Sequence, residues 1–339
     1  MGLAVAILGA SGYAGGELVR ILDEHPSVEV TYLGAYTQAG SSLGEVHPHL
    51  PGPSRVLAPI DVDRLTGAEV AFLALPHGSS WQAGHRLAEA GVAVFDLGSD
   101  YRMDTPQRYE FAYGAPHPLP DELDAWVYGL PELFGAALPG SGRVAVPGCY
   151  PTSALLGLGP LLAAGLIEGP VVVDSMSGVT GAGRGLKAGL TFGAVDESVK
   201  AYGIATHRHR PEIEMGLEAI GGAPVTVQFT PHLVPMQRGI LSTCSAGLVE
   251  AGRIGDALRD AYARAPFVDV LDQPPQTRWV VGSNRALIHA SEDHHTGRAI
   301  VTVAIDNLGK GAAGQAVQCA NLALGFPETA GLTTAGWLP

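Results

Sequence analysis

Aromatic side chains make up only 6% of the 339 residues, and cysteine occurs three times, at 149, 244 and 319. Three thiols so widely separated fit neither a disulfide framework nor a zinc site, so at most one of them needs a chemical role. Basic residues are also scarce: 20 Lys and Arg stand against 33 Asp and Glu, a formal net charge of −13. Phosphate backbones and anionic membranes both demand a local excess of positive charge, which excludes nucleic acid and membrane as expected partners. Long apolar runs are missing too. The N-terminal stretch is apolar, but it has no basic start and glycines end it far short of a membrane span; it reads as a buried strand. With no targeting segment in view, the expected compartment is the cytoplasm.

Glycine, in contrast, is abundant, with 46 residues, and hydrophobic residues reach 46%. This is the composition of tightly packed α/β enzymes. A chain of this length exceeds what one hydrophobic core usually serves, so two domains are expected.

Residues 3–8 form an apolar run that ends in Gly9-Ala-Ser-Gly12-Tyr-Ala-Gly15, and Glu17–Leu22 follows with helical spacing. Further strands fit Val28–Gly34, Val70–Leu75 and Val92–Leu97, with a helical pattern over Trp81–Ala90. Such alternation implies a parallel, doubly wound sheet. From Cys149 the pattern changes to a helix over Ser153–Ala164, strands over Val171–Ser175, Val225–Pro231 and Leu241–Leu248, and a helix over Arg253–Ala263. That suggests a mixed-sheet second domain over 149–310. A closing helix over Gly311–Leu324 can return to the first domain, which then comprises 1–148 and 311–339.

The glycine turn lies where a strand meets a helix, so glycines there let a pyrophosphate approach main-chain N–H groups at a helix N-terminus. Gly9, Ser11, Gly12, Tyr13, Ala14 and Gly15 are the candidate cofactor contacts, and a plain tight turn would read the same. NAD-preferring sites usually carry a carboxylate at the end of the second strand. Here 33–42 reads LGAYTQAGSS, without one, and the hydroxyls of Thr37, Ser41 and Ser42 suit a 2′-phosphate. NADP is therefore the expected cofactor.

Cys149 stands just before a Pro-Thr-Ser helix start, where the helix dipole favours the thiolate that a nucleophilic attack requires. Cys244 and Cys319 fall in strand and helix patterns and read as structural. In His207-Arg-His209-Arg-Pro-Glu212, a carboxylate follows a histidine by three residues at the start of a helix. Glu212 can orient His209, which can then act as acid and base. Asp293-His294-His295 and Glu45-Val-His47-Pro-His49 read as loops, and no metal site is expected.

A nucleotide turn, a helix-starting cysteine and a histidine pair in this order make the chain resemble the N-acetyl-γ-glutamyl-phosphate reductases of arginine biosynthesis. The resembling strings run nearly end to end: Gly9–Gly15, Leu75–Gly78, Tyr128–Glu132, Pro147–Thr152, Ser177–Arg184, His207–His209, Phe229–Pro235 and Asp306–Gln315. The resemblance implies a Rossmann-type NADP-binding domain joined to an α+β, glyceraldehyde-3-phosphate-dehydrogenase-like catalytic domain. It matches Cys149 to the nucleophile and His209 to the acid/base, with Glu212 in support. Ser177, Gly178, Pro211 and Asn307 match positions near the nicotinamide, and Arg102, Arg184, His207 and Arg238 are candidates for the substrate's anionic groups. Ala35-Tyr36 replaces a Ser-Arg pair common in the family. A small-molecule acyl phosphate is the expected substrate and a homodimer or homotetramer the expected assembly. The alternatives are the homologous aminoadipyl-phosphate reductase of lysine biosynthesis and a non-catalytic NADP-binding sensor.

Overall fold

β1 (Leu3–Leu8) is the spine of the first of two units, because its run Val5–Leu8 is shut off from solvent on both faces. A strand buried on both sides belongs in the middle of a parallel sheet. The computed structural model, which describes residues 2–65 and 67–337, places it between β2 (Val28–Ala35) and β4 (Val70–Leu73), parallel to both. With β3 (Ala58–Pro59), β5 (Ala93–Asp96), β6 (Val127–Tyr128) and β7 (Arg143–Ala145), the order is β3-β2-β1-β4-β5-β7-β6, every pair parallel. Chain direction across the sheet reverses between β1 and β4, the position at which doubly wound sheets bind ligands at their carboxyl ends.

The helix Tyr13–Leu22 turns Leu18, Val19, Ile21 and Leu22 onto this sheet, and the helix Gly314–Ala323 adds Ala316, Val317, Ala320 and Ala323 to the same core. Each large aliphatic residue buried there contributes about 1.5–3 kcal/mol relative to exposure. The helix expected over 311–324 starts at Gly314; the five residues before it, Gly309–Ala313, wind as a π-helical turn. The unit comprises the chain up to Pro106, His117–Pro147 and Ala312–Leu332.

The second unit contains Gln107–Pro116, Gly148–Gly311 and the described residues from Thr333 onward. Its sheet is mixed: β8 (Ile167–Ser177), β9 (Lys200–Ala201), β10 (Val227–Leu233), β11 (Ile240–Leu248), β12 (Val268–Val270), β13 (Ala286–Asp293) and β14 (Arg298–Ile305) lie in the order β12-β13-β14-β11-β8-β10-β9. Alternation along β8 buries Val171, Val173, Ser175 and Ser177 on one face and exposes Asp174 and Met176 on the other.

The buried face carries the helix Cys149–Ala163. Gly157 allows that helix to press close, since a Cβ there would stand 2.8 Å from Val303. A line of buried hydroxyls pins the helix to the sheet: Ser153 Oγ lies 2.7 Å from Ser242 Oγ, which lies 2.7 Å from Ser175 Oγ. Ser153 also donates to the carbonyl of Tyr150 at 2.9 Å. This helix begins four residues before the expected Ser153, at Cys149 itself.

Candidate functional site

The glycine turn of the first unit is shaped by its neighbours. Gly9 has φ +93, and a Cβ on it would stand 2.2 Å from the carbonyl oxygen of Ala74. A Cβ at Gly15 would come within 2.1 Å of Gly9 O, so glycine here permits helix and strand to meet. Gly12 is different: a Cβ would meet only Gly9 O, at 3.4 Å. Nothing in the chain itself requires glycine at that position, and Gly12 is also the N-cap, with no side-chain cap over the helix start. A bare, uncapped helix N-terminus behind a flat glycine fits a pyrophosphate. Ser11, Tyr13 and Ala14 lie on the same turn and first helical residues.

His47, read as a loop residue from the sequence, is buried beneath this turn and donates from Nε2 to Ala10 O at 3.0 Å. Beyond β2, Thr37 is exposed and Ser41 half-buried. Ser42 is already occupied: it caps the helix Leu43–Val46, its hydroxyl and N–H held by Glu45 in a capping box.

In the second unit Cys149 is the first residue of its fifteen-residue helix, half-buried, with Gly148 as an N-cap lacking a side chain. Gly311 passes against it; a Cβ there would stand 2.8 Å from Cys149 Cβ. His209 is likewise the first residue of its helix, His209–Gly221, and Pro211 the third, two positions later than a helix started by proline would have it. Glu212, completely buried, accepts a hydrogen bond from Gly148 N at 2.8 Å. One carboxylate thus joins the first turn of the His209 helix to the cap of the Cys149 helix.

An aromatic cluster surrounds the two residues. The His209 ring lies 4.8 Å from that of His207 and 5.8 Å from that of Tyr150. Tyr150 and Tyr202 share a hydroxyl contact at 2.8 Å, and burial pushes the ionisation of both phenols upward, keeping them neutral. Burial, with the neighbouring Arg208 charge, pushes His207 down to about 4. Its Nδ1 accepts from His209 N at 3.1 Å. Both effects favour the neutral ring, which holds the start of the His209 helix through that bond. Neither tyrosine announced itself in the sequence; Tyr150 had the signal of standing next to Cys149.

The candidate substrate arginines divide. Arg102, in the first unit, is buried and donates to Val146 O at 2.8 Å and Leu97 O at 2.7 Å, main-chain work that fastens two strand ends. Arg238 makes a two-pronged ion pair with Asp306, at 3.1 and 2.7 Å, which neutralises it. Arg184 is exposed on the segment after β8. Asn307 spends its side chain within the unit, accepting from Gly239 N at 2.7 Å and donating to Thr180 Oγ1 at 3.0 Å. It fixes the loop that Ser177 and Gly178 begin. Gly178 sits so tightly there that a Cβ would meet Gln237 O at 2.6 Å. Among the described residues, no group of three or more His, Cys, Asp or Glu side chains is arranged to hold a metal ion. Nor is any helix long and apolar enough to cross a membrane.

A doubly wound sheet with a glycine turn, followed by a mixed sheet whose helix begins at a cysteine, defines the semialdehyde dehydrogenase class. Residues 4–140 match the family "Semialdehyde dehydrogenase, NAD binding domain" and residues 149–307 match "Semialdehyde dehydrogenase, dimerisation domain". An aspartate semialdehyde dehydrogenase II from Vibrio cholerae has the same fold, with TM-score 0.73 at 20% identity over 95% of this chain and 98% of that one. The enzyme from Candida albicans, solved with NADP, gives TM-score 0.68 at 18% identity over the same shares. Sequence narrows the class. The N-acetyl-gamma-glutamyl-phosphate reductase of Pseudarthrobacter chlorophenolicus is 50% identical over the whole of both chains. The chain belongs to the N-acetyl-γ-glutamyl-phosphate reductase family.

Proposed function

We propose that this chain reduces N-acetyl-γ-glutamyl phosphate with NADPH, giving N-acetylglutamate 5-semialdehyde and phosphate through a thioester on Cys149. The observation that carries this reading is the pairing of two helix starts, one bearing Cys149 and one bearing His209, joined by Glu212. The full-length identity to reductases of that name supports the substrate.

Cys149 Sγ, favoured as thiolate by the helix N-terminus, attacks the γ-acyl carbon, and the bond to the phosphate oxygen breaks. Main-chain N–H groups at the same helix start stabilise the oxyanion, an effect worth about 3–4 kcal/mol per donor in comparable sites. NADPH, when bound, supplies the hydride that reduces the thioester. His209 gives a proton to the oxyanion and removes it as the carbon–sulfur bond breaks, releasing the aldehyde and returning the thiolate. Glu212 holds the Cys149 helix cap and supports His209 from the same turn. Arg184 is a candidate for the substrate's negative charge, and Arg238 orders the loop before β11 through its ion pair with Asp306.

The NADP-binding residues are those of the glycine turn, with Thr37 and Ser41 facing the 2′-phosphate. The missing carboxylate over 33–42 supports NADP over NAD, as does the NADP-bound relative. The functional division follows: the first unit binds the dinucleotide, and the second is catalytic and carries the oligomer contacts. A second copy covers the open face of the mixed sheet, where Met176 is 48% exposed, giving a homodimer or a homotetramer. The test is the reverse reaction. Phosphate-dependent reduction of NADP with N-acetylglutamate semialdehyde is expected to outpace that with the aminoadipate homologue, and NADP to outpace NAD. Equal rates with both aldehydes would remove the substrate assignment.

A further inference from the structure

The first unit holds a second buried polar cluster, at the carboxyl ends of β4 and β5. Asp96 ends β5 and is fully buried, as is Asp100 four residues later. Between them stands the hydroxyl of Ser80, 2.9 Å from Asp96 Oδ2 and 3.0 Å from Asp100 Oδ2. Gly98 N donates to Asp96 Oδ1 at 2.7 Å. Asp100 is better supplied: Gly78 N, Ser80 N and Trp81 N all donate to it, at 2.7, 3.0 and 3.0 Å, and His77 Nδ1 lies 3.0 Å away. Gly98 makes room for the cluster, since a Cβ there would stand 2.5 Å from Ser80 Oγ.

Hydrogens decide the protonation. A serine hydroxyl carries one, and two oxygen contacts at hydrogen-bond distance need two. Asp100, with its ring of donors, is the ionised member, so the second hydrogen belongs to Asp96. We infer that Asp96 is kept as a neutral carboxylic acid that donates to Ser80 Oγ, that Ser80 donates onward to Asp100, and that this relay positions the 74–80 segment beneath the dinucleotide turn. The relay reaches the turn through the chain: Asp100 holds Gly78 N and Ser80 N, and four residues before Gly78 stands Ala74, whose carbonyl oxygen is the atom against which Gly9 packs; Asp100 also fastens the start of the helix Trp81–Glu89.

The electrostatics agree. Burial above all, and then the charge of Asp100, push the Asp96 carboxyl up to about 7, although the Ser80 hydrogen bond and the Arg102 guanidinium pull the other way. Against the upward push of burial, hydrogen bonds from His77 and from the N–H groups of Gly78, Trp81 and Ser80 hold Asp100 down to about 2. Tyr101 and His117 complete the titratable surroundings; burial keeps both neutral, raising the former and lowering the latter. Ionisation of Asp96 removes the donor to Ser80 and sets two carboxylates against one hydroxyl, which loosens the segment that the glycine turn rests on.

This inference relies on the glycine turn being the dinucleotide site, and the test separates the two. Carbon-13 carboxyl NMR follows Asp96 in the whole protein while NADP affinity is measured across neutral pH. The wild type is expected to bind NADP severalfold more weakly as pH rises through about 7, with the Asp96 resonance titrating at the same midpoint. Asp96→Asn, whose amide donates at every pH, is expected to lose that dependence, and Ser80→Ala to bind throughout as the alkaline wild type does. An Asp96 resonance that is already ionised at acidic pH overturns the relay, and so does an Asp96→Asn variant with the wild-type profile. Absence of NADP binding at every pH overturns the cofactor reading and the positioning role together, whatever Asp96 does.

Discussion

Glu212 and Gly148, 64 residues apart in the chain, are joined by a 2.8 Å hydrogen bond from the glycine N–H to a fully buried carboxylate. The bond locks the cap of the helix that begins with Cys149 to the first turn of the helix that begins with His209. Glu212→Ala leaves that buried N–H unpaired, at a cost of about 1–3 kcal/mol. The expected result is a lower melting temperature and a slower acylation of Cys149. Glu212→Gln keeps an acceptor and is expected to recover most of the stability. Thermal unfolding and single-turnover kinetics of the two variants measure this, and equal losses in both would separate the effect from the hydrogen bond.

The three cysteines differ in exposure, and that difference is measurable. Cys149 is half-buried at a helix start, whereas Cys244 and Cys319 are completely buried, and burial pushes the Cys244 thiol up to about 12. Brief alkylation at neutral pH is expected to modify one thiol per chain, at Cys149, and to end turnover while NADPH still binds. Peptide mapping identifies the site. Label on Cys244 or Cys319 with activity lost would reassign the nucleophile.

Gly12 and Gly15 make opposite demands. A Cβ at Gly15 would collide with Gly9 O at 2.1 Å, but at Gly12 it would meet the same oxygen at 3.4 Å, an ordinary contact. Gly12→Ala is therefore expected to fold with near-native stability and to lose at least tenfold in NADP affinity, ~1.4 kcal/mol. Gly15→Ala is expected to lose stability itself. Melting curves and cofactor titration distinguish the two, and a Gly12→Ala protein with full affinity would contradict the pyrophosphate placement.

His207 gives a pH dependence whose sign follows from its lowered ionisation. Burial holds it at about 4 in the folded chain against 6.5 when exposed, so the unfolded chain binds the extra proton between these values. The stability is present above 6.5 and is lost as pH falls toward 4, by about 1.4 kcal/mol per unit. His207→Asn does not titrate and keeps an acceptor at the Nδ1 position for His209 N. Its stability relative to wild type, measured by urea unfolding, is expected to improve as pH falls through that window. A constant difference would mean that His207 is not buried as a neutral ring.

What the sequence revealed was mostly local. A glycine turn between an apolar run and an amphipathic helix, or a cysteine before Pro-Thr-Ser, carries its geometry in adjacent residues. The two-residue strands β3, β6 and β9 have too few positions for any alternation to register. Polar residues were hardest to assign. Arg102, Arg238 and Asn307 read as candidate ligand contacts, and their bonds to Val146, Asp306 and Gly239 were not legible, because only the folded chain brings those partners near. The same applies to the Glu212–Gly148 bond and to the Ser80 bridge between Asp96 and Asp100. A hydrogen bond across many residues leaves no spacing signature.

The most direct measurement is to mix the enzyme with N-acetyl-γ-glutamyl phosphate in the absence of NADPH and follow phosphate release and the intact mass together. A thioester mechanism predicts a burst of one phosphate per active site and an N-acetylglutamyl adduct on Cys149, both absent in Cys149→Ala. Phosphate release without an adduct, or an adduct that persists in Cys149→Ala, would contradict it.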